Sequence, residues 1–199
     1  MINLLSSALP SKVSISNQSI SINTDYRIWI DIWRIIDTPK PPEDIWKKAI
    51  LIVELAYNNH PIALNNMDDA VEQAILFLER RDKADTPRPL TQAEKRLQNI
   101  RTFDWAYDAN RVIADFEREY HIDLTNPDTH MHWWRFMALF NGLSDTSMTL
   151  DAIRVRAADL DAKGISALER KHLKERKQML MLPARTREEA AQNSELRGL

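Results

Sequence analysis

Hydrophobic and polar residues alternate near the start of the chain, over residues 13–22 (VSISNQSISI). Such alternation is typical of a β-strand with one buried face, and the polar Asn17 and Gln18 at its centre indicate a turn. The pattern therefore predicts a small β-hairpin. Because an isolated two-stranded hairpin is marginally stable in water, we expect it to pack on a helix or to pair with another chain.

After the hairpin, apolar residues recur every three or four positions, which predicts helices. Thr91 and Glu94 have the spacing of a capping box and predict the start of a long helix that ends near Tyr120. Asn126–Pro127 and Gly142 indicate the two ends of another helix. Further helices are expected from residue 24 to the prolines at 39–42, and over residues 43–58, 66–81 (with Asn66 as cap), 146–161 and 165–182.

The predicted fold is mainly α. A chain of 199 residues is long enough for one well-buried core. We expect a single domain over residues 1–182, with about six or seven helices and the hairpin at its N-terminal end. Residues 183–199 contain few large apolar side chains, so they are expected to form a flexible tail with a transient helix near residues 188–192.

The first predicted helix carries apolar residues on two of its sides. One stripe contains two tryptophans, and the other contains three isoleucines at helical spacing. A helix of this kind is either buried deep within its domain or uses one side to bind a partner. Both interpretations remain open. The candidate protein interface consists of Ile28, Trp29, Ile32, Trp33 and Ile35.

The segment MHWWRFMALFNGL at residues 131–143 holds two of the six tryptophans in an almost wholly apolar stretch. Its aromatic content predicts a central position in the core. His132 and Arg135 interrupt the apolar surface and are expected to form a polar strip that meets aspartates of the preceding helix. The predicted aromatic and polar network consists of Asp104, Asp108, His132, Trp133, Trp134 and Arg135.

Asp104 and Asp108 lie one helical turn apart, so their negative charges should repel unless they are compensated. Such a pair could bind a divalent ion or take part in acid–base chemistry. Alternatively, it forms ion pairs with Arg101 and Arg111, each one turn away, or with Arg135. The local spacing favours ion pairs.

Motifs for catalysis or cofactor binding are missing from the sequence. It has no cysteine, no GxGxxG or GxxxxGK[ST] phosphate loop, and no GxSxG or SxxK motif for a nucleophile. His130 and His132 would point to different sides of a helix, and HExxH is absent. We therefore expect a protein that is not an enzyme and that uses no metal or cofactor.

Charge and hydropathy give no general sign of nucleic acid or a membrane as a partner. The net charge of −2 gives no general attraction to nucleic acid, which makes that partner unlikely on this ground. The basic segment 170–177 could contact phosphate, but its lack of aromatic residues favours a solvated face or a site for an acidic protein. The sequence contains no apolar run of membrane-spanning length and no basic leader, so we expect neither membrane insertion nor export.

Several segments in order resemble a bacteriophage family named after gene product fifteen. They are the opening MINLL, INTDYR at residues 22–27, FDWAYDANRVIADFEREYHIDL at 103–124 and MHWWRFMALFNGL at 131–143, and the resemblance covers roughly residues 1–182. Members of this family are encoded in the tail-gene clusters of long-tailed phages. The hairpin departs from the family's usual pattern, because Asn17 and Gln18 stand where a glycine-containing turn is common.

The resemblance implies a tail assembly chaperone, encoded by a phage or prophage and acting in the host bacterial cytoplasm. Such a protein binds apolar helical segments of the tape-measure protein during virion morphogenesis, with other tail proteins or copies of itself as further partners. The resemblance assigns no catalytic or ligand-binding residues. Two alternatives are a structural tail or connector component that is retained in the virion, and a protein that binds a small molecule or nucleic acid.

Overall fold

The structure is a computed structural model that describes residues 8–39, 44–81, 89–91, 95, 100–162 and 164–198. In this part of the chain the protein is mainly helical with an N-terminal β-hairpin, which confirms the predicted fold class. The helices are α1 (Tyr26–Asp37), α2 (Ile45–Tyr57), α3 (Pro61–Asn65), α4 (Met67–Leu78), α5 (Ala109–Tyr120), α6 (Trp133–Asn141), α7 (Met148–Ala157), α8 (Ala167–Met179) and α9 (Arg187–Arg197).

Two compact units make up the chain. Unit 1 consists of Met1–Arg88 and Pro127–Asn141, and unit 2 consists of Pro89–Asn126 and Gly142–Leu199. The hairpin, α1 to α4 and α6 therefore belong to unit 1, while α5 and α7 to α9 belong to unit 2. The single domain over residues 1–182 stays a prediction. No helix in the described residues has both the length and the apolar character needed to span a bilayer.

The hairpin consists of β1 (Lys12–Ile15) and β2 (Gln18–Ser21), which pair antiparallel. Its turn is Ser16–Asn17, so the predicted centre at Asn17–Gln18 was wrong by one residue. Both turn residues have positive φ angles, 49° and 61°, as a two-residue type I′ turn requires. Asparagine tolerates this conformation better than most residues, and it occupies the second turn position.

The hairpin packs on α4 of the same unit. The backbone N–H of Ser16 donates to the Asp69 carboxylate at 2.7 Å. The side chains of Ile15 in β1 and Ile20 in β2 are buried. The expectation that the hairpin needs a covering helix is thus met within unit 1.

Local capping residues determine where the helices of unit 1 begin. The Asp25 carboxylate accepts the backbone N–H of Arg27 at 2.9 Å and caps α1. His60 accepts the N–H of Ile62 at 3.3 Å and starts α3, a short helix that the sequence pattern did not predict. Asn66 stands at the N-cap position of α4, but its side-chain amide donates to the Ile62 carbonyl at 2.8 Å and makes no capping bond.

Helix α6 begins later than predicted, at Trp133 rather than at Asn126–Pro127. The preceding residues are extended because they pair with the start of α1. The N–H of Tyr26 donates to the Met131 carbonyl at 3.0 Å, and the N–H of Trp133 donates to the Thr24 carbonyl at 2.7 Å. This β-bridge uses backbone groups that a longer helix would have needed.

Unit 2 does not contain the predicted continuous helix from residue 91 to 120, because residues 101–108 are not helical. The Asp104 carboxylate accepts the N–H groups of Ala106 and Tyr107, each at 2.9 Å. These side-chain bonds stabilise a turn and compete with the helical hydrogen bonds of the backbone. The predicted capping box includes Glu94, which lies outside the described residues.

At the C-terminal end, α9 is longer than the transient helix predicted near residues 188–192. The Thr186 hydroxyl accepts the N–H of Glu189 at 3.1 Å and caps the helix. The guanidinium of Arg101 then donates to both carboxylate oxygens of Glu189 at 3.1 Å. The sequence of residues 183–199 gave little sign of this attachment, because Arg101 lies far away in the chain.

Candidate functional site

Two residues of the candidate interface belong to the core. Trp29 and Ile32 are each 0% exposed, so the prediction that they offer a binding surface was wrong. Trp29 packs against Phe77 of α4 with 4.6 Å between the ring centroids, and its indole N–H donates to the Asn23 carbonyl at 2.7 Å. Ile28, Trp33 and Ile35 retain partial exposure.

Exposed apolar side chains occur instead at the end of α1 and in the first half of α2. Ile45 is 65% exposed and Trp46 is 60% exposed. The Lys48 ammonium joins the two helices here by donating to the Ile36 carbonyl at 3.2 Å and the Thr38 carbonyl at 2.6 Å. We call this the apolar surface of unit 1, and it consists of Ile36, Ile45, Trp46 and Leu51.

Large exposed apolar side chains are candidates for a surface that binds another molecule where they lie together. These exposed side chains were not singled out from the sequence. A signal was nevertheless present, because α2 carries apolar residues around most of its circumference and its core contacts use only part of it.

The tryptophans of α6 hold the core of unit 1 together, as predicted. Trp133 and Trp134 are buried, and their indole N–H groups donate to the carbonyls of Leu78 and Phe77, each at 2.9 Å. These carbonyls lie at the end of α4, where helical backbone acceptors need outside donors. Phe136 stacks on Tyr26 with 4.8 Å between the ring centroids.

His132 and Arg135 do not form the predicted strip. The Nδ1 atom of His132 accepts the N–H of Trp134 at 3.0 Å, which leaves Nε2 to donate to the Pro10 carbonyl at 2.8 Å. Burial lowers the pKa of His132, although the bond to Pro10 opposes this effect. Arg135 is exposed on the opposite face of the helix from the buried Trp133. His132 is therefore a structural link between the N-terminal segment and α6.

In unit 2, Asp104 and Asp108 form the predicted ion pairs. Arg101 donates to Asp104 at 2.8 Å, and Arg111 donates to Asp108 at 2.7 Å. Burial alone would raise the pKa of Asp104, but hydrogen bonds from the Tyr107 and Ala106 N–H groups, with the charge of Arg101, lower it. Asp104 is thereby held as a carboxylate.

Arg156 is the residue that the sequence analysis missed. Its guanidinium makes two hydrogen bonds to the buried Asp108 carboxylate, at 2.7 and 2.9 Å. It also donates to the carbonyls of Leu180 at 2.6 Å and Thr102 at 2.9 Å. The signal was its position on α7, at helical spacing from the buried Thr149 and Ala152. A cation on a buried face requires a buried anion as its partner.

Asp115 is a second buried carboxylate that the sequence analysis did not single out. It accepts hydrogen bonds from the Ser147 hydroxyl at 2.7 Å and from the backbone N–H groups of Met148 at 3.0 Å and Thr149 at 2.8 Å. Asp115 thus caps α7 from a neighbouring helix and places negative charge at its positive end. Arg118 pairs with the same carboxylate at 2.7 Å.

The buried carboxylates of unit 2 therefore accept hydrogen bonds from donors that connect α5, α7 and the 101–108 turn. In the described residues, no group of three or more His, Asp or Glu side chains is placed to hold a metal ion. The surface of unit 1 is the feature that a binding partner could use directly.

Comparison with known proteins identifies the family. The family model described as Bacteriophage Gp15 protein matches residues 5–182, most of the chain. No curated protein and no solved structure matches the chain. The matched region includes the hairpin, the Trp133–Trp134 pair and both buried carboxylates. The chain therefore belongs to the Bacteriophage Gp15 protein family.

Proposed function

We propose that this phage protein is a tail assembly chaperone that binds the tape-measure protein during tail morphogenesis and performs no catalysis. The observation that carries the proposal is the apolar surface of unit 1, which has large side chains exposed on a well-packed helical scaffold. Its place of action is the cytoplasm of the host bacterium. Other tail proteins and further copies of the chain are additional partners.

The chemistry of this surface fits an apolar helical client. Trp46 offers a large, rigid side chain of the kind that dominates binding energy at protein interfaces. Ile45 and Leu51 are further exposed apolar side chains of α2. Full burial of each aliphatic side chain contributes roughly 1.5–3 kcal/mol relative to exposure, so a few such contacts give substantial affinity. An amphipathic helix that presents its apolar face would cover them.

Co-expression with the tape-measure protein of the same phage tests this proposal. The wild-type chain should keep the tape-measure protein soluble and co-purify with it. The variant Ile45→Asp plus Trp46→Asp should lose co-purification, because it places two charges in the contact. Both side chains are largely exposed, so this variant should remain folded by circular dichroism, unlike one at the buried Ile32.

The matched control is Ile75→Asp, which changes an exposed isoleucine on α4 of the same unit. It should co-purify with the tape-measure protein as the wild type does. Equal recovery of the tape-measure protein with the folded double variant and with the control would contradict the proposed binding surface. Failure of the wild type to bind would contradict the function itself.

Mass spectrometry of purified virions distinguishes the chaperone from a structural tail or connector component. A chaperone leaves before the tail is complete, so its peptides should be absent from purified particles. A stoichiometric amount in the virion would instead establish a structural role. The same particles should contain the major tail protein as an internal reference.

A further inference from the structure

Unit 2 contains a groove with a partly apolar floor. The floor is formed by Ile100 and by Met181 and Leu182, which follow α8. Arg101 also lines the groove. A cavity of about 320 Å³ remains between this floor and the helix that covers it, α9. The covering helix therefore leaves much of the groove unfilled.

The side of α9 that faces the groove is mostly polar. Four residues at positions i, i+3, i+4 and i+7 of the helix line the cavity, and they are Glu189, Gln192, Asn193 and Leu196. Leu196 is the one large apolar side chain in α9. None of the residues of α9, all of which the structure describes, is buried. Gln192 lines the groove and is exposed, so an apolar residue at this position would add apolar contacts that glutamine does not make.

Polar contacts near the surface attach α9 to the rest of unit 2. Glu189 pairs with Arg101, the Asn193 amide donates to the Leu182 carbonyl at 3.1 Å, and the Gln178 amide donates to the Leu196 carbonyl at 2.8 Å. Individual hydrogen bonds of this kind contribute about 0.5–1.5 kcal/mol. Because these hydrogen bonds bury little apolar area, the net free energy that favours docking of α9 on the rest of unit 2 is small.

We propose that this groove is a binding site for an amphipathic helix of a partner protein, and that α9 is an occupant which the partner helix displaces. The partner helix carries a carboxylate in its first turn, for Arg101, and large apolar residues three and seven positions later. An amide at the fourth position can keep the bond to the Leu182 carbonyl. This groove is distinct from the apolar surface of unit 1, and the proposal does not depend on the chaperone function.

Charge complementarity and better filling of the cavity would allow a partner helix to displace α9. Arg101 provides the guanidinium for a carboxylate, and Lys177 and Arg156, the latter paired with Asp108, are further cations in the groove lining. An apolar residue in place of Gln192 occupies part of the cavity that α9 leaves open. Because α9 is part of the same chain, its effective concentration at the groove is roughly millimolar. The partner helix must therefore bind the groove more tightly than α9 does in order to displace it.

A labelled peptide with the sequence of residues 184–199 and the substitution Gln192→Leu serves as the probe, mixed with the full-length chain. Fluorescence anisotropy should show saturable binding. Hydrogen exchange of residues 187–197 in the full-length chain should become faster at the same peptide concentrations, because α9 leaves the groove. Absence of binding, or binding without faster exchange in α9, would overturn the proposal.

Two matched controls sharpen the result. A peptide that also carries Glu189→Lys should bind at least tenfold more weakly, because it places a cation against Arg101. A full-length chain with Gln192→Leu in its own α9 should bind the probe at least tenfold more weakly than the wild type, because its groove is better occupied. Unchanged affinity in either control would show that the peptide binds elsewhere and would overturn the proposal.

Discussion

Water is almost excluded from the ion pair between Asp108 and Arg156, whose side chains are 1% and 5% exposed. Such a pair is costly to form, because both ions lose their hydration, but it is also costly to break. The two additional carbonyl acceptors of Arg156 complete its hydrogen bonding. This residue therefore fixes the position of the 101–108 turn against α7.

Replacing Arg156 with Ala should lower the free energy of unfolding by about 3–5 kcal/mol, because Asp108 would keep a buried charge with only part of its compensation. Urea denaturation followed by circular dichroism measures this change. The matched control is Arg154→Ala on the same helix, whose pair with Asp145 is exposed. This control should lower the free energy of unfolding by less than about 1 kcal/mol. Equal costs for the two variants would contradict the structural role of Arg156.

Asp115 should make stability depend on pH in the acid range. Burial alone would raise its pKa, but hydrogen bonds from Ser147 and from the N–H groups of Thr149 and Met148 lower it below the usual 3.8. A carboxyl whose pKa is lowered by folding stabilises the folded state above its unfolded pKa. That contribution is lost as the pH falls through the folded pKa.

The variant Asp115→Asn should therefore be less stable than the wild type by about 2–3 kcal/mol at pH 7, and the difference should shrink below about pH 4. Thermal unfolding between pH 7 and pH 2.5 checks both statements. Asp145→Asn serves as the control, because its side chain is 91% exposed. A difference for Asp115→Asn that stays constant down to pH 2.5 would refute the assigned pKa shift.

The turn of the hairpin offers a test of one whole element. Asn17 has a φ angle of 61° at the second turn position, where glycine is favoured in type I′ turns. The variant Asn17→Gly should raise the free energy of unfolding by about 0.5 kcal/mol, since glycine adopts positive φ without steric cost. Chemical denaturation measures this change in the free energy of unfolding. Gln18→Gly, one residue later in β2, is the control and should destabilise instead.

Apolar spacing predicted most helices of the chain, because that signal is local and repeats every turn. The centres of α1, α2, α4, α7 and α8 all fall within predicted segments. The helix ends were harder to predict from the sequence, because they depend on contacts with residues far away in the chain. Met131 pairs with Tyr26, and this contact, which delays the start of α6, has no local signature.

For the same reason, the candidate site could be predicted only in part. The local pairs Arg101–Asp104 and Arg111–Asp108 followed from spacing. The pairing of Asp108 with Arg156, 48 residues away, did not. Whether a residue on a helix that is apolar on two sides is exposed depends on what packs against it. Trp29 therefore proved to be buried, whereas Trp46 proved to be exposed.

At the scale of the whole molecule, unit 1 is built from two separate stretches of chain. Its first stretch ends at Arg88, and α6 comes from the second. Burial of each large side chain of α6 contributes roughly 1.5–3 kcal/mol. Trp133, Trp134 and Phe136 together thus approach the entire stability of a small domain, about 5–15 kcal/mol.

A fragment of residues 1–90 should therefore fail to unfold cooperatively when heated, because it lacks α6. Adding a synthetic peptide of residues 127–143 should restore a cooperative transition and the near-ultraviolet circular dichroism of buried tryptophans. A peptide with Trp133→Ala and Phe136→Ala is the control and should not restore them. A cooperative transition of the fragment alone would show that α6 is dispensable for unit 1.

This divided chain path also sets an order of events during synthesis. When the ribosome has added Arg88, α6 is still to come, and the second stretch of unit 1 ends at Asn141. At a translation rate of roughly 5–20 residues per second, synthesis from Arg88 to Asn141 takes about 3–10 seconds. During that time the nascent chain presents the uncovered faces of Tyr26 and Phe77 to the cell. Unit 1 thus completes its core only after its second stretch has been synthesised.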